Sequence, residues 1–184
     1  MLYFIRHGQA EHNLNEPHNF DLKNPKLTKH GINQIKKLRM LFNNNTKIWC
    51  SPTVRTIESA QLISGTAQLN ILDILGPRTF PHKICSMHNC DQLNFDLSSI
   101  NISIIKLLNN VHPNDFTDEA FMNIFKNFIK NYVDEQYDHL FVTHDGVIAT
   151  LLKYCNDVSL DRDSNNDLIL YNEVHQFEMQ NFFS

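Results

Sequence analysis

Arg6, His7, Gly8, Arg55 and His144 have the residue types and placement that phosphoryl chemistry requires. Transfer of a phosphoryl group needs a nucleophile, charge neutralisation and in-line positioning, and an imidazole such as His7 attacks phosphorus directly. Arg6 and Arg55 are permanently charged planar forks that match phosphate oxygens, where charge spreads in the transition state. The pair thus supplies what a metal ion otherwise would. Gly8, lacking a side chain, lets the backbone and its amides come close to an anion. His144 precedes a helical stretch whose amides and dipole add to a positive field. Each residue also has an ordinary reading. A lone histidine at a strand end is usually a structural hydrogen-bonder, and Arg55 has Glu58 as a possible surface partner.

These residues need elements to hold them. Leu2 to Ile5 form a short apolar run that reads as a buried strand ending at Arg6-His7-Gly8. Ile32, Ile35, Leu38, Leu41 and Phe42 recur at helical spacing after Thr28, a suitable N-cap. Lys47 to Cys50 read as a second strand, closed by Ser51-Pro52 before a helix whose first turn holds Arg55. Leu69 to Leu72 read as a third strand. The stretch from Gly76 to Asp96 is broken by Gly76, Pro77 and Pro81 and shows little periodicity. Phe116 to Tyr132 predicts a helix with Phe121, Ile124, Phe125, Phe128, Ile129 and Tyr132 on one face. His139 to Thr143 read as a strand, His144-Asp145-Gly146 as a turn, and Val147 to Tyr154 as a helix. Leu168 to Tyr171 and Val174 to Met179 read as two last strands. Strands alternating with helices predict an α/β three-layer sandwich with a mostly parallel central sheet, its ligand at the carboxyl edge of the strands. No repeat or linker divides the chain. One domain over residues 1–184 is expected, with an irregular segment around 76–118 covering the site.

Bulk properties narrow the partners. With 184 residues the chain buries roughly two thirds of its unfolded surface without a disulfide or a metal. Sixteen Lys and Arg against 20 Asp and Glu leave a net charge of −4, which draws in neither nucleic acid nor an anionic membrane. Apolar runs fall well short of the ~20 residues of a membrane helix. Cys50, Cys85, Cys90 and Cys155, with no basic-plus-apolar leader in front of them, are expected to be reduced thiols in the cytoplasm. His82, Cys85, His88 and Cys90 are potential zinc ligands. They crowd into nine residues, whereas structural zinc sites draw two of their four ligands from a distance, so no metal is expected. Arg78, His82 and Lys83 form either a solvated face or a site for a second anionic group on a substrate.

Four stretches resemble one family in the right order. FIRHGQAEHN at residues 4 to 13 resembles the RHG signature of the histidine phosphatase superfamily, also called phosphoglycerate mutase-like, and LTKHGINQ at 27 to 34 is similar to its LTxxGxxQ helix start. SPTVRTIESA at 51 to 60 resembles SPxxRTxxTA, FVTHDGVIATLL at 141 to 152 resembles VxHGGVI, and Asn172 precedes the last strand. The resemblance implies a metal-independent, cofactor-free hydrolase of phosphomonoesters in which His7 carries the phosphoryl group and Arg6, Arg55 and His144 contact it. It also implies Asn13 as a phosphate ligand, although an Asn there equally caps a turn. The small phosphatases of the family usually place a Glu after the third strand to protonate the leaving oxygen, and this chain has none there. Asp73 takes its place in chain order. Asp145 is the alternative, since the acid phosphatase and phytase branch uses a similar His-Asp pair, and Asp91 comes third. A mutase is the second reading, but the family's YGxLxGLNK stretch is absent. A silent module that reads a phosphorylated partner is the third. The expected partner is a small phosphorylated substrate or a phosphoprotein; its identity and the oligomeric state stay open.

Overall fold

The computed structural model describes residues 1–15, 18–19, 22–65, 68–78, 102–161 and 169–183. Within them, β1 (Leu2–Arg6), β2 (Lys47–Cys50), β3 (Leu69–Leu72), β4 (Ile102–Ile105), β5 (His139–Thr143) and β6 (Val174–Phe177) join in one sheet of order β4-β3-β2-β5-β1-β6. All neighbours run parallel except β6, which pairs antiparallel with β1. The helices are α1 (Lys29–Leu38), α2 (Val54–Ser64), α3 (Asp118–Tyr132) and α4 (Asp145–Asn156).

Alternation along the strands builds two cores. Phe4, Trp49 and Phe141 face α3 and α4, packing with Phe121, Phe125, Phe128, Val147 and Leu151. Ile5, Ile48, Cys50, Leu140 and Val142 face α1 and α2, packing with Ile35, Leu38, Ile57 and Ile63. Every residue of β5 is buried, as befits a central parallel strand covered on both sides. The aromatic side is tight: Phe4 stacks on Phe141 with centroids 4.6 Å apart, and Phe128 meets Trp49 edge-on at 4.9 Å. The Trp49 indole Nε1 donates to His139 Nδ1 at 2.9 Å, so this buried polar group is satisfied. The result is the expected three-layer α/β sandwich.

The order β2-β5-β1 places three strand ends side by side. Ser51 and Arg55 follow β2, His144 follows β5, and Arg6-His7 end β1. Thr28 caps α1 as expected, its Oγ1 accepting from Gly31 N at 3.0 Å.

Four local expectations differ. The stretch 76–118 is not irregular throughout, because Ile102–Ile105 forms β4, a half-exposed edge strand beside β3. Ile169 to Tyr171 make no strand; the Ile169 carbonyl receives Arg6 instead of a ladder partner. The α4 helix begins at Asp145, with His144 as its N-cap residue, so Asp145 and Gly146 are its first turn and not a preceding loop. The α1 helix ends at Leu38 in a short 3-10 turn that leaves Leu41 exposed. Among the described residues no helix is long and apolar enough to cross a membrane.

Candidate active site

His7 leaves β1 with its backbone amide still bonded to the Thr143 carbonyl at 3.0 Å, so the ladder that builds the sheet also fixes the height of the imidazole. The ring is buried. Its Nδ1 lies 2.7 Å from the Gly8 carbonyl. A carbonyl only accepts, so Nδ1 carries the proton and Nε2 keeps its lone pair. Arg55, on the first turn of α2, donates Nε to that Nε2 at 3.2 Å. Its Nη2 donates to His144 Nδ1 at 3.3 Å, and His144 Nε2 donates to Ser51 Oγ at 3.0 Å. The two histidines are therefore opposite tautomers, each fixed by its neighbours.

Arg55 is 3% exposed and buried against these imidazoles, not at the surface with Glu58. Glu58 instead accepts the Leu27 amide at 2.7 Å. The guanidinium of Arg6 lies 4.2 Å above the Tyr171 ring, with Nη1 donating to Ile169 O at 3.0 Å and Nη2 3.3 Å from Asp145 Oδ2. Its Nε is buried without a hydrogen-bond partner.

Burial, first of all, drives the pKa of His7 well below the usual histidine value, and Arg55, His144, Arg6 and His12 add to it. His144 is lowered likewise by burial, then by Arg55, His12, Arg6 and His112. Both rings are neutral at neutral pH, and Nε2 of His7 is a free base in a cationic pocket. That arrangement suits attack on an electrophile carried by an anion.

Gly8 plays a different part from the expected one. Its amide donates to Ser59 Oγ at 3.2 Å, while a Cβ there would lie 2.6 Å from Gly31 O and 2.9 Å from Ile35 Cγ1. The missing side chain makes room for α1, and the amide is already used. Asn13 closes the 3-10 turn Glu11–Asn13, its Oδ1 accepting the Ala10 amide at 3.1 Å; this is the turn-capping role.

The candidate acids separate clearly. Asp73 stands at the end of β3, where Oδ1 and Oδ2 accept the Leu107 amide at 2.9 and 2.8 Å and Oδ2 also accepts Leu108 N at 2.9 Å. Among the described residues no hydrogen bond or ion pair joins it to the His7 cluster. Asp145 sits on Arg6, within the cluster. Asp91 lies outside the described residues, as do His82, Lys83, Cys85, His88 and Cys90. Arg78 is neither a solvated face nor a free anion site: it is buried, bonded to the Pro113 and Phe116 carbonyls and paired with Asp118 at 2.7 Å. Among the described residues no group of three or more His, Cys, Asp or Glu is arranged to hold a metal ion.

Several site residues escaped the sequence reading. His12, 7% exposed, has its ring centroid 5.7 Å from that of His7, and Tyr171 lies 6.3 Å from it. Ser51 and Ser59 position His144 and Gly8. His12 stood inside the RHG stretch already quoted, one position before Asn13, so its closeness to His7 was the available signal.

Comparison with known proteins bears on this geometry. Residues 2–75 match the family model described as the histidine phosphatase superfamily (branch 1). No curated protein sequence matches the chain. Similar solved structures include the ecdysone phosphate phosphatase of Bombix mori in complex with tungstate, 14% identical with a TM-score of 0.59, covering 94% of this chain and 86% of that one. The phosphoserine phosphatase of Entamoeba histolytica, in complex with 3-phosphoglyceric acid, is 20% identical with a TM-score of 0.56, covering 86% and 80%. The alpha-ribazole phosphatase of Shigella flexneri is 22% identical with a TM-score of 0.53, covering 84% and 78%. Residues 2–75 thus match the histidine phosphatase superfamily by sequence, and over most of its length the chain shares the fold of these solved structures.

Proposed function

We propose that the protein hydrolyses phosphomonoesters through a phosphohistidine formed on His7 Nε2. One observation carries this reading: the His7 Nδ1–H bond to the Gly8 carbonyl leaves Nε2 as a neutral base that, among the described residues, accepts from the guanidinium of Arg55. A phosphate dianion entering between Arg6 and Arg55 draws the Arg55 fork onto its oxygens and uncovers the lone pair for in-line attack. The N–P bond forms as the P–O bond to the leaving group breaks. Water then attacks the phosphohistidine, its proton passing to the carboxylate that protonated the leaving oxygen, and phosphate leaves as neutral His7 is regenerated.

The leaving oxygen takes its proton from Asp145. In the free protein its carboxylate is paired with Arg6. Once a phosphate dianion occupies Arg6, Asp145 faces added negative charge, which favours its protonated form. Asp73, its oxygens held by the Leu107 and Leu108 amides, is left as a structural residue. Arg6, Arg55 and His144 stabilise the equatorial oxygens, and no metal ion is required.

Rapid quenching with a 32P-labelled phosphoester tests the reading, with EDTA present throughout. Wild-type protein is expected to release phosphate and to hold acid-labile, base-stable label; His7→Ala is expected to hold none and to lose at least 99% of turnover. Turnover by His7→Ala above a few per cent, or activity removed by EDTA and restored by zinc, overturns it.

A further inference from the structure

His112 belongs to none of the roles above, and its surroundings are unusual. Its Nδ1 accepts the Asn114 amide at 3.1 Å, which places the proton on Nε2. That Nε2–H is buried and has no hydrogen-bond partner among the described residues. Buried donors almost always find an acceptor, so an unmatched one calls for a function.

Its position points to that function. Thr143, just before His144, donates Oγ1 to the Leu75 carbonyl at 2.8 Å. The next residue, Gly76, packs so closely on Pro113 that a Cβ would lie 2.8 Å from Pro113 Cγ. Arg78 fastens the Pro113 carbonyl from the other side. This chain of contacts holds Pro113, and with it the neighbouring His112, beside the strand end from which His144 follows.

We propose that His112 Nε2–H is a specificity contact that donates a hydrogen bond to an oxygen on the leaving group of the substrate. The inference rests on the phosphatase reading. The preferred substrates are phosphomonoesters whose leaving group carries a hydroxyl, carbonyl or carboxylate oxygen close to the ester linkage, over bare alkyl phosphates. Burial above all lowers the His112 pKa, with Arg78 adding to it and Asp115 opposing. The ring is therefore neutral near pH 7 and gives a hydrogen bond without giving up its proton, so protonation of the leaving oxygen remains with another group.

Steady-state kinetics on glycerol 3-phosphate and ethyl phosphate test this with wild type, His112→Ala and His112→Gln, each checked by thermal unfolding. His112→Ala is expected to raise KM for glycerol 3-phosphate roughly five- to tenfold while leaving ethyl phosphate within about twofold. His112→Gln, which keeps an N–H donor, is expected to recover much of the loss. Equal effects on both esters, or none on either, overturn the assignment of His112 and leave the phosphatase reading standing. A wild-type protein inactive on both esters and on p-nitrophenyl phosphate removes the two together.

Discussion

At the residue scale the structure separates two aspartates that the sequence leaves side by side. Asp145 lies on Arg6, whereas Asp73 holds the Leu107–Leu108 turn against the end of β3. A general acid matters most for a poor leaving group, and its loss costs about a hundredfold to ten-thousandfold there. Asp145→Asn is therefore expected to slow an alkyl phosphate by about that much and p-nitrophenyl phosphate far less. Asp73→Asn is expected to lower stability by about 1 kcal/mol and to show no preference between the two esters. Equal losses on both esters in Asp145→Asn would mean that it only positions Arg6. The cluster itself was legible because motif and spacing agree: Arg55 bonds both His7 and His144, and Arg6 ends the strand that leads into His7. Asp73 was read by chain order alone, and chain order does not say where a carboxylate points. Tyr171 was invisible for the opposite reason, since it lies outside any recognisable stretch and reaches Arg6 and His7 only through tertiary packing.

At the element scale, strands buried on both faces declared themselves, and of the two edge strands β6 was legible while β4 was not. Lys47–Cys50, Leu69–Leu72 and His139–Thr143 occupy the same residues in sequence and structure, because central parallel strands are mostly apolar runs. Ile102–Ile105 stays half exposed at the sheet edge and shows little contrast with its neighbours. The apolar Ile169 to Tyr171 misled because its backbone serves Arg6. Helix α4 shows how an element positions the site. A Cβ on Gly146 would fall 1.8 Å from the Arg78 carbonyl oxygen, so the segment from Leu75 to Arg78 can lie across the start of α4 only because that residue is glycine. Gly146→Ala must move backbone, and overpacking of this kind costs about 1–3 kcal/mol or more. Urea unfolding is expected to show that loss. A variant as stable as wild type would contradict the close approach.

At the scale of the whole molecule, the site is a cationic pocket built from neutral imidazoles, and folding bears its cost in a pH-dependent way. His7 and His144 both have native pKa values well below the usual 6.5, burial being the main cause. His112, His139 and His175 are lowered too, again by burial first. Below pH 6.5 the unfolded chain binds protons that the native state refuses. Stability therefore rises with pH through the window below 6.5 and is lost as the pH falls through it. Each fully suppressed histidine contributes up to about 1.4 kcal/mol per pH unit there. Urea unfolding between pH 7.5 and 5.5 is expected to show a steep fall in stability, set against a shallower one in His7→Gln, which removes one such group. Because His7 is already unprotonated throughout that range, the acid side of the turnover profile is expected to track folding and the proton donor and not the nucleophile. A stability that stays flat from pH 7.5 to 5.5, or a His7→Gln slope equal to that of wild type, would show that His7 takes up its proton as readily in the folded protein as in the unfolded chain.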